Sequence, residues 1–179
     1  MTKEQDKSVR RLDSWIESYL EYTSGVPSPL ILRKWAAWFT VSAALERRCW
    51  AVISNNQTYP NMYILLVTPP AVGKGQALNP ADDLLKACGM FNVAPTALTK
   101  AAFVDQLKGA PNPRLIPGTS IMHNSLILIA PEFGTFLTAH DHEFLNTLND
   151  IYDCRNIYEE RTRGGGLISI ERPHFAMIG

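Results

Sequence analysis

Met62-Tyr-Ile-Leu-Leu-Val-Thr-Pro-Pro-Ala-Val-Gly-Lys-Gly75 begins as six apolar residues and empties into a turn that ends on Gly73-Lys74-Gly75. The apolar run, residues 62–67, reads as a buried strand, and residues 76–88 read as a helix. In a strand, bend and helix of this order, backbone N–H groups converge on phosphate oxygens at the helix N-terminus. The residues expected to line such a loop are Thr68, Pro70, Ala71, Val72, Gly73, Lys74, Gly75 and Gln76. In the G-x-x-x-x-G-K-[ST] pattern the lysine reaches the β- and γ-phosphates and the hydroxyl ligates Mg²⁺. Gly73 and Lys74 match that pattern, while Thr68 replaces its first glycine and Gly75 its hydroxyl residue. Nucleotide binding is therefore motivated and hydrolysis is left open. A surface turn without chemistry is the competing reading, and the flanking strand and helix weigh against it.

With 179 residues, 46% of them hydrophobic, the chain can bury one ordinary core. Seventeen basic residues balance seventeen acidic ones, so no global positive field marks it for nucleic acid. Cys49, Cys88 and Cys154 are odd in number and far apart, which suggests reduced, partly buried thiols and a cytoplasmic setting. The polar first residues lack an apolar signal core, and the longest apolar stretch, residues 35–45, is shorter than the ~20 residues that span a bilayer. No membrane partner is expected.

Upstream of the loop, Leu12, Trp15, Ile16, Tyr19 and Leu20 recur at helical spacing, ending near Gly25. Ser28 and Pro29 suit the start of a second helix carrying Leu30, Trp35, Trp38, Phe39, Val41, Ala44 and Leu45. Its aromatic residues are expected in the core, and Arg47 and Arg48 at its end suit the helix dipole. Residues 49–53 form a candidate strand and residues 55–57 a turn. Downstream, residues 91–94 read as a short strand, 98–107 as a helix beginning near Thr99, and the proline-rich stretch 109–119 as an exposed loop. Residues 125–130 are a near-continuous apolar run of the kind covered on both faces of a parallel sheet. A turn at Pro131, a helix over 144–154, strands over 158–163 and 167–171 joined by glycines, and a final strand over 174–179 complete the pattern. The fold class expected is α/β: a P-loop NTPase-like parallel sheet flanked by helices, with a helical segment 1–45 packed on a nucleotide-binding unit 46–179. The final strand ends at Gly179, where site residues of a parallel sheet lie, so a truncated module is a further expectation.

A phosphate loop needs an acid at the end of a neighbouring strand to position Mg²⁺ or the attacking water. Ala130 stands where an aspartate is often found, and Glu132 is the acid available there. It is the candidate general base, holding Mg²⁺ through water if at all; a carboxylate placed for a helix dipole is the plainer reading. The order Trp35-Ala36-Ala37, Arg47-Arg48-Cys49-Trp50, Pro60-Asn61-Met62-Tyr63, Pro70-Ala71-Val72-Gly73-Lys74 and Ala130-Pro131-Glu132-Phe133-Gly134 resembles an uncharacterised P-loop ATPase family of phages and integrated mobile elements, often found beside or fused to primase modules. The resemblance runs from about Trp35 onward. It implies ATP and Mg²⁺ as cofactors, a helicase-like role in DNA replication, and single-stranded DNA, further copies of the chain or a replication protein as partners. Loops of that family usually carry glycine at the positions of Thr68 and Ala71 and a hydroxyl at that of Gly75.

Arg155, Arg161 and Arg163, with Tyr152 and Tyr158, form a basic and aromatic mixture suited to single-stranded nucleic acid or to an arginine finger on a neighbouring subunit. Ordinary hairpin charges beside Glu159 and Glu160 explain them equally well. His140 and His142 are not expected to bind metal, because residues two apart do not share a helical face, and Cys154 reads as a core thiol. A non-hydrolysing structural or partner-binding module and a small-molecule kinase remain as alternative functions.

Overall fold

Strand residues 126–130 and 175–178 are apolar at every position, so whichever way each side chain points it must be covered. In the computed structural model, which describes residues 12–116, 119–138, 140–162 and 166–179, both faces are covered. Along the chain come α1 (Trp15–Tyr22), α2 (Leu30–Leu45), β1 (Ala51–Ile53), β2 (Asn56–Thr58), β3 (Tyr63–Ile64), α3 (Lys74–Ala87), α4 (Lys100–Lys108), β4 (Pro111–Ile116), β5 (Thr119–Ile129), α5 (Phe133–Phe136), α6 (His142–Tyr152), β6 (Ile157–Thr162), β7 (Gly166–Glu171) and β8 (Pro173–Ile178). The protein is a mixed α/β fold. Its main sheet has the order β3-β8-β5-β4. β8 is parallel to both β3 and β5, whereas β4 runs antiparallel to β5. Val93 adds a parallel bridge at Ile127, on the C-terminal half of β5.

Alternation along the strands divides the core in two. Ile127, Ile129, Ala176 and Ile178 pack with Leu32, Ala36, Phe39, Leu78 and Leu85 beneath α1, α2 and α3. Leu126, Leu128, Ala130, Phe175 and Met177 pack on the other side with Phe103, Phe136, Phe144, Leu148 and Ile151 from α4, α5 and α6. Ser14, Thr99 and Asp141 start α1, α4 and α6 by accepting from the N–H groups of Glu17, Ala102 and Phe144.

Several expectations are corrected. The stretch expected as a loop over 109–119 contains β4, paired from Pro111↔Asn124 to Ile116↔Thr119. The prolines are tolerated because β4 is an edge strand. Residues 55–57 are not simply a turn: the hairpin turns at Ser54 and Asn55, both with positive φ, and β2 begins at Asn56. Trp35 and Trp38, expected in the core, are 42% and 51% exposed, because α2 buries its Leu32, Ala36, Phe39 and Ala43 face instead. Cys49 and Cys88 are exposed, and only Cys154 of the three cysteines is buried. Arg47 does not serve the α2 dipole: it is buried, donates to the carbonyls of Cys154 (2.7 Å), Arg155 (3.2 Å) and Pro173 (3.1 Å), and lies over the Tyr59 ring.

A polar network closes the end of the sheet where β5 and β8 begin their pairing. Glu46, fully buried, accepts from Asn112 Nδ2 at 2.9 and 3.1 Å and from Arg48 at 3.2 Å, and lies 3.3 Å from His123 Nε2. His174 Nδ1 is 3.2 Å from Ser125 Oγ. Burial, reinforced by His123 and Arg47, pushes the His174 imidazole down to about 3, so it is neutral in the fold.

Candidate phosphate-binding site

The ladder between β3 and β8 carries the chain to the mouth of the loop. Gly179 N–H donates to the Ile64 carbonyl at 3.0 Å and Leu66 N–H to the Gly179 carbonyl at 2.7 Å. Beyond Leu66 the chain leaves the sheet, and Pro69 and Pro70 can donate no hydrogen bond to hold it there. Ala71 and Gly73 both take left-handed φ values, +65° and +84°. Such alternation turns successive N–H groups toward one concavity. The first helical bond of α3 is Ala77 N–H to the Gly73 carbonyl, 3.0 Å. Among the described residues, the N–H groups of Ala71, Val72, Gly73, Lys74, Gly75 and Gln76 meet no protein acceptor.

Gly73 cannot be replaced without moving its neighbour, since a Cβ there would stand 2.5 Å from the Pro27 carbonyl oxygen. The turn between α1 and α2 thus braces the loop from behind. Gly75 differs: a Cβ would meet only Pro131 Cβ, at 3.7 Å, an ordinary contact. A hydroxyl residue would fit at position 75, but the chain does not supply one.

The eight loop residues singled out in the sequence line one cleft of about 560 Å³ with Pro131 and Glu132. Glu132 occupies the N-cap position of α5, yet its side chain caps nothing; only its carbonyl is used, accepting from Thr135 N–H (3.0 Å) and Thr135 Oγ1 (2.7 Å). The carboxylate of Glu132 is exposed, and neither it nor the Lys74 ammonium has a protein partner among the described residues. They do not pair with one another. β8 lies between their strands, and at about 4.8 Å per strand the strand bearing Glu132 stands about 10 Å from the loop strand, room for a phosphate and a water between them.

The arginines singled out in the sequence lie elsewhere. Arg155 is exposed, pairs with Asp153 at 3.3 Å, and lines a separate polar cleft with Asn61 and Tyr152. Arg161 is exposed on β6, and Arg163 lies outside the described residues. Burial pushes the Cys154 thiol up to about 11, which leaves it protonated and unsuited to nucleophilic work. No cluster of three His, Cys, Asp or Glu side chains suited to a metal occurs among the described residues, and no helix there is long and apolar enough to cross a membrane. Sequence reasoning missed Pro27 as the brace of the loop and Arg33 as the residue that fixes the turn carrying it; neither belongs to a recognisable motif. Comparison with protein-family models and with curated proteins returns no match for this chain.

Proposed function

We propose that the chain is a nucleotide-binding protein of the P-loop class, taking the phosphates of ATP with Mg²⁺ at residues 68–76. The observation that carries this reading is the set of N–H donors at Ala71 to Gln76, without acceptors among the described residues, sharing one cleft with Lys74 and Glu132. Val72, Gly73, Lys74 and Gly75 are half-buried, and donors left unpaired there beside a lysine are costly unless water or an anion serves them; a phosphate chain is the anion they fit. Lys74 neutralises the outer phosphates, the backbone at Ala71 to Gly75 cradles them, and Glu132 orients a water for attack and takes its proton. Mg²⁺ would supply neutralisation of phosphate charge; Glu132 is the carboxylate lining the cleft that would hold it, through water, since Gly75 brings no hydroxyl.

The resemblance carried by Trp35-Ala36-Ala37, Arg47 to Trp50 and Glu132-Phe133-Gly134 extends the proposal to a phage-type DNA replication or helicase–primase system, with single-stranded DNA and further copies of the chain as partners. Gly75 favours a second reading, a non-hydrolysing binding module that keeps the cleft. Calorimetry with Mg²⁺-ATP separates these: wild-type chain is expected to bind and Lys74→Ala to lose at least a hundredfold in affinity. Phosphate release that Glu132→Gln abolishes, with or without single-stranded DNA, identifies an ATPase, and binding without release identifies the module. Equal binding by wild type and Lys74→Ala would sink the phosphate-loop assignment.

A further inference from the structure

Beside the phosphate cleft runs a second one, of about 460 Å³, and Gln76 lines both. One wall is a face of α3: Gln76, Asn79, Pro80 and Asp83 recur at intervals of three and four, the spacing that places side chains on one side of a helix. The other wall is the turn from Tyr22 to Pro27, which also supplies the carbonyl packed on Gly73. We infer that this second cleft receives the nucleoside half of the nucleotide, with Tyr22 stacking on the base and Asp83 accepting the ribose hydroxyls. The inference rests on the phosphate-loop reading above and names the part of the same ligand that this reading leaves unplaced.

Three observations carry it. The first is that the polar groups lining this wall are free. Among the described residues Asp83 and Asn79 have no side-chain partner, although Asp82 beside them pairs with Lys86 at 2.6 Å. A carboxylate accepts from two adjacent hydroxyls at once, and an amide side chain both donates and accepts, which is the equipment a ribose and a base edge require. The second is Pro80, placed inside α3 without an N–H to give, so the Gln76 carbonyl is deprived of its donor four residues on. Gln76 and Pro80 both line the cleft, so the break in the helical ladder falls within its wall.

The third observation is that the opposite wall is rigid. Arg33 donates to the carbonyls of Ser28 (3.3 Å), Leu20 (3.2 Å) and Thr23 (3.1 Å), pinning both sides of the turn to α2. Val26 N–H to the Thr23 carbonyl (3.0 Å) and Ser28 N–H to the Val26 carbonyl (2.8 Å) tighten it. Tyr22 leaves this turn 67% exposed and without a ring partner among the described residues, whereas Tyr19, one helical turn earlier, is buried against Trp15. An exposed tyrosine on a fixed turn is a stacking surface with little left to order on binding.

The test compares two ligands that share the phosphates and differ in the nucleoside: Mg²⁺-ATP and Mg²⁺-tripolyphosphate, titrated into the full chain. Wild type is expected to bind ATP at least tenfold more tightly. Tyr22→Ala and Asp83→Ala, both at exposed positions, are expected to erase that preference while leaving tripolyphosphate affinity within twofold. Pro80→Ala, which returns a donor to Gln76, is expected to weaken ATP severalfold in the same selective way. Equal affinity of wild type for the two ligands, or an ATP preference that survives both Tyr22→Ala and Asp83→Ala, overturns the nucleoside cleft and leaves the phosphate loop standing. Failure of wild type to bind either ligand overturns the loop and the cleft together.

Discussion

At one end of the sheet, β5 and β8 carry Ser125 and His174 into a buried network with Arg47 and Glu46; at the other, the same strands lead to Ala130 and Gly179 beside a cleft where Lys74, Glu132 and a run of N–H groups meet no partner among the described residues. The contrast separates what holds the fold from what is left for a ligand. At the network end Glu46 and Arg47 together engage α2, β4, β5, the turn after α6 and the start of β8, and only the second ring nitrogens, His123 Nδ1 and His174 Nε2, are left without a partner among the described residues. A whole run of unanswered N–H groups is tolerated where water or a ligand can reach it, which is the condition of the loop end.

The severest way to break the network end is Glu46→Ala, which leaves Asn112, Arg48 and His123 facing a void. A loss of about 3–5 kcal/mol is expected in urea denaturation, with phosphate binding intact while the chain remains folded. A loss below about 1 kcal/mol would show that this end is not the anchor. At the loop end the largest stability effect falls on Gly73→Ala, which combines a left-handed residue with a Cβ only 2.5 Å from Pro27 O. About 2 kcal/mol is expected from the backbone strain and the displaced turn, read as a lowered melting temperature together with weakened nucleotide binding.

Acid sharpens the comparison because it acts on the network first. His174 is neutral in the fold down to about pH 3 but takes a proton near its ordinary value once unfolded. The unfolded chain therefore binds more protons, so the contribution of His174 is complete above about pH 6.5 and declines as pH falls toward 3, by about 1.4 kcal/mol per pH unit. Denaturation midpoints measured across this range should fall with pH for wild type and flatten in His174→Phe. The smallest effect belongs to Ala71→Gly: Ala71 sits at φ +65°, a conformation glycine reaches without strain. A gain of up to about 1 kcal/mol is expected, offset in part by the freer unfolded chain; a loss would mean that the alanine methyl is itself packed.

Much of this architecture was legible in local pattern. The apolar runs at 125–130 and 174–179 announced strands covered on both faces, and the glycine-joined runs at 158–163 and 167–171 announced the β6–β7 hairpin. The run at 62–67, expected as a buried strand, is corrected: only Tyr63–Ile64 form β3, half-buried, and Leu65 and Val67 are 55% and 94% exposed as the chain leaves the sheet edge. The loop was legible because Gly73 and Lys74 sit between a strand and a helix. What periodicity could not resolve was which side of an apolar helix faces inward. α2 is apolar around much of its circumference, and the choice between a Trp35 and Trp38 face and an Ala36 and Phe39 face was made by the small residues that let α2 approach α3 and β8 closely. β4 was obscured by Pro111 and Pro113, which argue against a central strand but not against an edge.

Residues 62–76 by themselves determined that a strand, a bend rich in proline and glycine, and a helix would follow one another, because those are properties of neighbouring residues. Tertiary structure alone decided the rest: that Pro27 would press on Gly73, that Glu132 would face Lys74 across one intervening strand, and that Glu46 would find Asn112 and His123 in the interior. Each is a meeting of residues distant in sequence. The free energy of such meetings depends on burial and on which partners remain unanswered, and neither quantity exists until the layers have packed.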